Sequence, residues 1–316
     1  MSSIFHYTDA NGLHGILTNE SFYATDYRYL NDAAEADSIR SHIMPVFERE
    51  IGTITKNLID KKLLKADYYK DLGTHADILQ AEKLYGSFSR AVDNVSPFFV
   101  LSFCRHASNS YEYQQGLLSQ WRGYADGGGF AIELDEDELD ALAKLELEKF
   151  AYAGFKSENV EYDQHQKLFD PAHYVGVAGE MIWQVFAEAG KDVSSVTGRK
   201  DLDAAVLKFV QTAPFLKHRG FSEESEYRMV FICIRARKVP EEEKRTIKYI
   251  KFRQKGGLLI PYIALFDAID EPRLPVKGLI VGPHPLQERQ AESAKMLLEA
   301  EGFDVPVRLS EIPYRK

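Results

Sequence analysis

The segment Pro97-Phe-Phe-Val-Leu-Ser-Phe-Cys104 constrains the fold of this chain more than any other. It is apolar, short, rich in aromatic residues and introduced by proline, so it reads as a central strand rather than a helix. Around it, strand-like and helical blocks are interleaved without a regular β-α-β-α alternation, which disfavours Rossmann and TIM architectures. The expected class is α+β, with a mostly antiparallel, sandwich-like sheet core and helical excursions.

The periodicities supply the other elements. Ile4 to Thr8 reads as a short strand, followed by a helix with Leu13, Ile16 and Leu17 on one face and a strand over Phe22 to Thr25. From Asn31 to about Gly86 the pattern is helical. It opens on the capping box Asp32-Ala-Ala-Glu35, buries Ile39, Ile43 and Phe47, and should bend or divide at Pro45. Gly127 to Leu134 reads as a strand with Phe130, Ile132 and Leu134 on its covered face. Asp135-x-x-Glu138 caps a helix carrying Leu139, Leu142 and Ala143, and Asp163 to Phe215 is mostly helical, with Leu202, Val206, Phe209 and Val210 on one side. Strands are expected over Tyr227 to Ile234, Thr246 to Phe252, Leu258 to Ile263 and Gly278 to Val281, with a late helix from Leu286 to Ala300 stopped by Gly302. The reading is a single domain over residues 1–316 with helical insertions at about 31–95 and 135–215.

A chain of 316 residues that is 45% hydrophobic and 12% aromatic can bury a large core, unlike a disordered chain. Its longest apolar run, Leu258 to Phe266, is nine residues interrupted by Pro261, whereas a membrane span takes about 20. The first residues lack a basic n-region and carry Asp9 where a signal peptide would stay apolar, which predicts cytoplasmic residence and no membrane partner. Cys104 and Cys233, the only cysteines, lie in apolar strand-like runs and read as buried reduced thiols, so no metal is expected. A formal charge of -9 argues against a global electrostatic grip on nucleic acid but leaves room for a local basic groove.

Four stretches contain candidate chemistry. In Glu224-Ser-Glu226-Tyr-Arg228, a polar loop enters a strand, and residues two apart on a strand share a face, so Glu224, Glu226 and Arg228 should point the same way, opposite Tyr227, Met229, Phe231 and Cys233. That face reads either as a solvated edge with an ion pair or as a carboxylate pair that bonds a ribose hydroxyl and orients an acceptor. His6-Tyr7-Thr8 places His6 and Thr8 on one face of the first strand. His6 could bond a backbone carbonyl there, and Thr8, with Asp9, could cap the next helix. Arg28 and Asn31 could contact phosphate, and Asn31 and Asp32 fit equally well as helix caps. Trp121-Arg-Gly-Tyr124, ahead of Gly127-Gly-Gly129, suits a flat ring stacked beside a close backbone approach, or a turn.

The order of these pieces resembles the ADP-ribosyltransferase superfamily, in particular DarT-like enzymes, and the bacterial domain of unknown function 2971 family. The resemblance lies in Ile4-Phe-His6-Tyr-Thr8 with the helix and strand after it, in the strand carrying Ser102, and in Glu224-x-Glu226 entering an apolar strand, with Gly278 to Val281 as a later core strand. It implies a split antiparallel β-sandwich and NAD as substrate, with ADP-ribose transferred to a macromolecule, RNA or DNA ahead of protein. The biological role implied is a bacterial toxin or anti-phage effector with an antitoxin protein as partner. By the same resemblance Glu226 is the catalytic glutamate and Glu224 orients the acceptor. His6, Tyr7 and Thr8 hold the nicotinamide-ribose half, Ser102 braces the cleft, Arg28 meets the pyrophosphate, and Trp121 and Tyr124 line the site. DarT-like enzymes usually carry Gln two residues before the glutamate, where this chain has Glu224. The same resemblance also covers an NAD glycohydrolase and a non-catalytic nucleotide-binding module.

Overall fold

The structure is a computed structural model that describes residues 2–30, 34–65, 76–95, 97–124, 128–162, 169–188, 190, 202–234, 243–269, 271 and 273–313. The caps expected at Asn31 and Asp32, and Gly127, lie outside the described residues. The chain forms two compact units, one of Met1–Leu30, Phe98–Val160 and Gly220–Lys316, the other of Asn31–Pro97 and Glu161–Arg219.

Thirteen strands are described: β1 (Ser3–Thr8), β2 (Phe22–Asp26), β3 (Phe98–Arg105), β4 (Phe130–Asp135), β5 (Phe150–Asn159), β6 (Glu161–Tyr162), β7 (Leu216–Lys217), β8 (Glu226–Cys233), β9 (Thr246–Ile247), β10 (Lys251–Lys255), β11 (Leu258–Leu265), β12 (Val276–Val281) and β13 (Val307–Leu309). All but β6 and β7 form one sheet in the first unit. It is antiparallel except where β12 meets β13 and β5 meets β9, and with the helices it makes the protein α+β.

The strand read as central is β3. Along one edge it pairs with β8 from Phe98↔Ile232 to Cys104↔Glu226. Along the other it pairs first with β2, at Asp26↔Phe99 and Thr25↔Val100, and then with β1, at Phe5↔Cys104 and Ile4↔Arg105. Between these two ladders the sheet splits. One branch continues from β1 to β4, β12 and β13, the other from β2 to β11 and β10.

Each face of this sheet carries its own core. Ile4, Phe22, Phe99, Leu101, Phe103, Ile132, Met229, Phe231 and Leu279 form the larger core, covered by Leu13, Ile16 and Leu17 of the helix Ala10–Asn19 and by Leu139 and Leu142 of the helix Glu136–Lys149. Asp9 caps the first of these helices, accepting from the Gly12 amide at 2.7 Å, and Asp135 caps the second. On the opposite face, Phe5, Tyr7, Cys104, Ala131 and Ile280 pack against Leu117 and Trp121.

The helix and strand over 136–159 belong to the sheet unit, whereas the sequence placed 135–215 in a helical insertion. Strand β5 escaped detection because its second half, Phe-Lys-Ser-Glu-Asn, is polar and only half-buried, and its place is set by pairing with β8. The run expected over Thr246 to Phe252 is two short strands, β9 and β10.

The second unit is helical. Ala34–Asp60 is one helix through Pro45, where the sequence predicted a bend or a division. Ile39, Ile43, Phe47, Ile51 and Ile54 are buried along it, which offsets the roughly 3 kcal/mol that an interior proline costs. Phe88 of the helix Ala76–Val95 meets Phe47, Tyr174 and Phe209 edge-on. The helices Val177–Glu188 and Leu202–Thr212 complete the unit.

Candidate functional site

The site lies where β1 and β2 part along β3. Ser102 lies between the two ladders, so its carbonyl lacks a strand partner on that edge, and His6 Nδ1 takes that place at 3.1 Å. A carbonyl only accepts, so Nδ1 carries the hydrogen and Nε2 is the acceptor nitrogen of a neutral ring. Burial pushes the His6 pKa down to about 4, against the opposing effect of the Ser102 carbonyl and with help from the charge of Arg253. The ring sits edge-on to Phe22 and Phe103.

Glu226 opens β8 and stands in a row with Cys104 and Phe5, since directly opposed residues of antiparallel strands share a face. Its Oε2 accepts from Arg228 Nε at 2.7 Å and lies 2.5 Å from Arg228 Nη2. Both side chains are almost fully buried, at 6% and 2% exposure, where the sequence allowed a solvated edge. Removing one partner of such a pair strands a buried charge, which costs roughly 3–5 kcal/mol.

Glu224 does not share that face. It ends a 3₁₀ helix, Arg219–Glu224, and Ser225 has φ 44°, in the left-handed region. The Ser225 carbonyl accepts from the Arg105 amide at 2.9 Å, and β8 begins only at Glu226. The two-residue rule for shared faces therefore does not extend back to Glu224, which is buried away from the pocket lining.

A pocket of about 50 Å³ is lined by Phe5, His6, Tyr7, Ser102, Phe103, Cys104, Gln120, Tyr124 and Glu226. Each water needs about 10–15 Å³ on this measure, so the pocket admits a few waters or one edge of a sugar or ring, not a whole dinucleotide. His6 and Glu226 both border it, but from opposite faces of the sheet. His6 leaves β1 on the side of Phe22 and Phe103, and Glu226 leaves β8 on the side of Cys104.

The other expected residues have other surroundings. Tyr7 is buried; its hydroxyl accepts from the Leu117 amide at 2.8 Å, lies 2.9 Å from His106 Nε2, and is pushed well above the usual tyrosine range by burial. Trp121 is 1% exposed, donates to the Gln115 carbonyl at 3.1 Å and lies edge-on to Tyr7, so it is a wedge under the site rather than an open stacking platform. Any Cβ at Gly116 would fall 2.3 Å from the Trp121 ring, so this turn, at φ +75°, needs glycine. Thr8 and Arg28 stay outside the lining. The Thr8 hydroxyl lies against Gly12, and Arg28 forms a two-point pair with buried Asp26, Nε to Oδ1 at 2.9 Å and Nη2 to Oδ2 at 2.7 Å.

Three residues near the site were not singled out in the sequence: Gln120, which lines the pocket, His106 and Arg253. Gln120 stands beside Trp121 and was within reach of local reading, whereas Arg253 arrives from β10 and no local pattern marks it. Among the described residues no group of three or more His, Cys, Asp and Glu is placed to hold a metal ion, and no helix is long and apolar enough to cross a membrane. No curated protein and no solved structure matches the chain. Residues 120–229, which include Gln120, Tyr124, Glu226 and Arg228, match the protein family of unknown function DUF2971.

Proposed function

We propose that this chain is an NAD-dependent ADP-ribosyltransferase, built on a split-sheet fold of the ADP-ribosyltransferase kind. It modifies a macromolecule, RNA or DNA ahead of protein, as a bacterial toxin or anti-phage effector. The observation that carries this reading is a buried carboxylate, Glu226, fixed by Arg228 and bordering a pocket at the split of the sheet together with His6 and Ser102.

In this reading Glu226 accepts a hydrogen bond from a hydroxyl of the nicotinamide ribose and offsets the positive charge that develops at the anomeric carbon. The bond from that carbon to the nicotinamide nitrogen breaks, its electron pair leaves with the neutral ring, and the acceptor attacks the carbon as it loses its proton. Arg228 holds Glu226 in place through two contacts to one carboxylate oxygen. Neutral His6 offers Nε2 to a sugar hydroxyl, and Ser102 faces the same space. Because Glu224 does not line the pocket, water is the second acceptor the geometry favours, which makes NAD hydrolysis the alternative outcome.

The test incubates labelled NAD and cell extract with wild-type protein and with Glu226→Gln. Transfer predicts labelled polymer with the wild type and at least about a hundredfold less with the variant, the scale of losing one transition-state contact. Nuclease or protease treatment of the product identifies the polymer. Free ADP-ribose without labelled polymer selects the hydrolase, and equal turnover by both proteins, or none by the wild type, rejects the reading.

A further inference from the structure

The face of the sheet that carries Glu226 continues across the split. Opposed residues share a face, so the ladders Val230↔Val100, Val100↔Thr25, Thr25↔Tyr262 and Tyr262↔Lys251 place Arg228 and Glu226 on the same face as Thr25, Tyr23, Tyr262, Lys251 and Arg253. At its far end stands an unusual cation. Arg253 Nη2 donates to Thr25 Oγ1 at 2.9 Å, while Nε is buried with no partner. No carboxylate among the described residues forms an ion pair with Arg253, although its neighbour Lys251 holds Asp267 at 3.0 Å. Its guanidinium lies 5.9 Å from the ring of Tyr23, which is 40% exposed and packs on Tyr262 at 4.2 Å between centroids.

A half-buried guanidinium with an unspent donor, beside the exposed Tyr23 ring and the half-buried Tyr262 ring, has the chemistry of a site for phosphate next to a planar base. We propose that Arg253, Thr25, Tyr23 and Tyr262 form a subsite for the diphosphate of a nucleoside diphosphate. From Thr25 to Glu226 there are two inter-strand steps and a run along β3 from Val100 to Cys104, roughly 16 Å at backbone level. The Arg253 side chain shortens that span, since its charge acts on His6, which lines the pocket, and the small pocket at Glu226 has room only for the reacting end of a dinucleotide. The assignment rests on reading that pocket as the reacting end of the same ligand. It also moves the phosphate contact from Arg28, whose fork is already on Asp26, to Arg253.

Calorimetric titration of the full chain with ADP, which lacks the bond that Glu226 would act on, separates the two readings. Wild type and Glu226→Gln should bind ADP equally. Arg253→Leu should bind at least about tenfold more weakly, and Arg253→Lys, which keeps the charge but not the fork, should fall between them. Adenosine, without phosphate, should not distinguish the Arg253 variants from wild type. Unchanged ADP affinity in Arg253→Leu, no ADP binding by the wild type, or an equal loss for adenosine overturns the subsite. Should Arg253→Leu lose its folded circular dichroism spectrum, Arg253→Lys decides alone: a loss for ADP but not adenosine supports the subsite, and no loss overturns it. ADP binding of the expected pattern in a protein that leaves NAD intact would keep the subsite and discard the transferase.

Discussion

Among the described residues the sheet unit holds two carboxylate–cation pairs buried on both sides, and they differ in what lies beside them. Glu146 is fully buried and meets Lys248 at 2.7 Å, the Tyr152 hydroxyl at 2.7 Å and the Phe266 amide at 3.1 Å. Lys248 also meets Asp267 at 2.8 Å and sits over the Phe150 ring. That cluster ties the helix Glu136–Lys149 to the loop after β11. Glu226 and Arg228 are buried to a similar degree, yet their carboxylate borders a pocket. Burial of charge is thus shared by a brace and a candidate site, and the adjoining cavity separates them.

The largest effect that would break this comparison is catalytic. Glu226→Gln should abolish NAD turnover by at least about a hundredfold, while Glu146→Gln should leave turnover per folded molecule unchanged, as measured by activity normalised to native circular dichroism. Next comes stability. Glu146→Ala leaves Lys248 buried beside only Asp267, and chemical denaturation should show a loss of roughly 3–5 kcal/mol. A Glu146→Leu, Lys248→Met double variant should recover most of it, because an apolar brace needs no desolvated charge. If the double variant remains as unstable as Glu146→Ala, the cluster is more than a brace.

The surroundings of the site also hold two buried histidines, which the brace lacks. Burial lowers both His6 and His106 from 6.5 to about 4, so between these values the unfolded chain binds more protons than the folded one. Stability should therefore fall as pH drops from about 6.5 to about 4, and level off below. Melting temperatures across that window should fall less steeply for the His6→Gln, His106→Gln double variant than for wild type. The smallest effect is Tyr7→Phe, which removes the acceptor of the Leu117 amide and should cost about 1–3 kcal/mol in a denaturant melt, with ADP binding unaltered.

Much of the sheet was legible because alternation and apolar runs report burial directly. Phe98 to Cys104 emerged as the central strand, and Tyr227, Met229, Phe231 and Cys233 lie together in the larger core. Asp135 caps its helix, as Asp135-x-x-Glu138 suggested. The polar half of β5 was not legible, since its only strand signal is the partner β8. Nor was the break at Ser225, where one left-handed residue removes Glu224 from the face of Glu226.

The sequence by itself determined which segments could be buried strands and helices, and that His6, Ser102 and Glu226 sit on three of those strands. Periodicity is a local property, and it survives whatever the tertiary arrangement. Only the tertiary structure decided that β3 bridges a split between β1 and β2, that the Ser102 carbonyl there is met by His6, and that Arg253 reaches Thr25 from an edge strand far along the chain. Those relations depend on strand register and order, which no spacing of residues within one segment encodes.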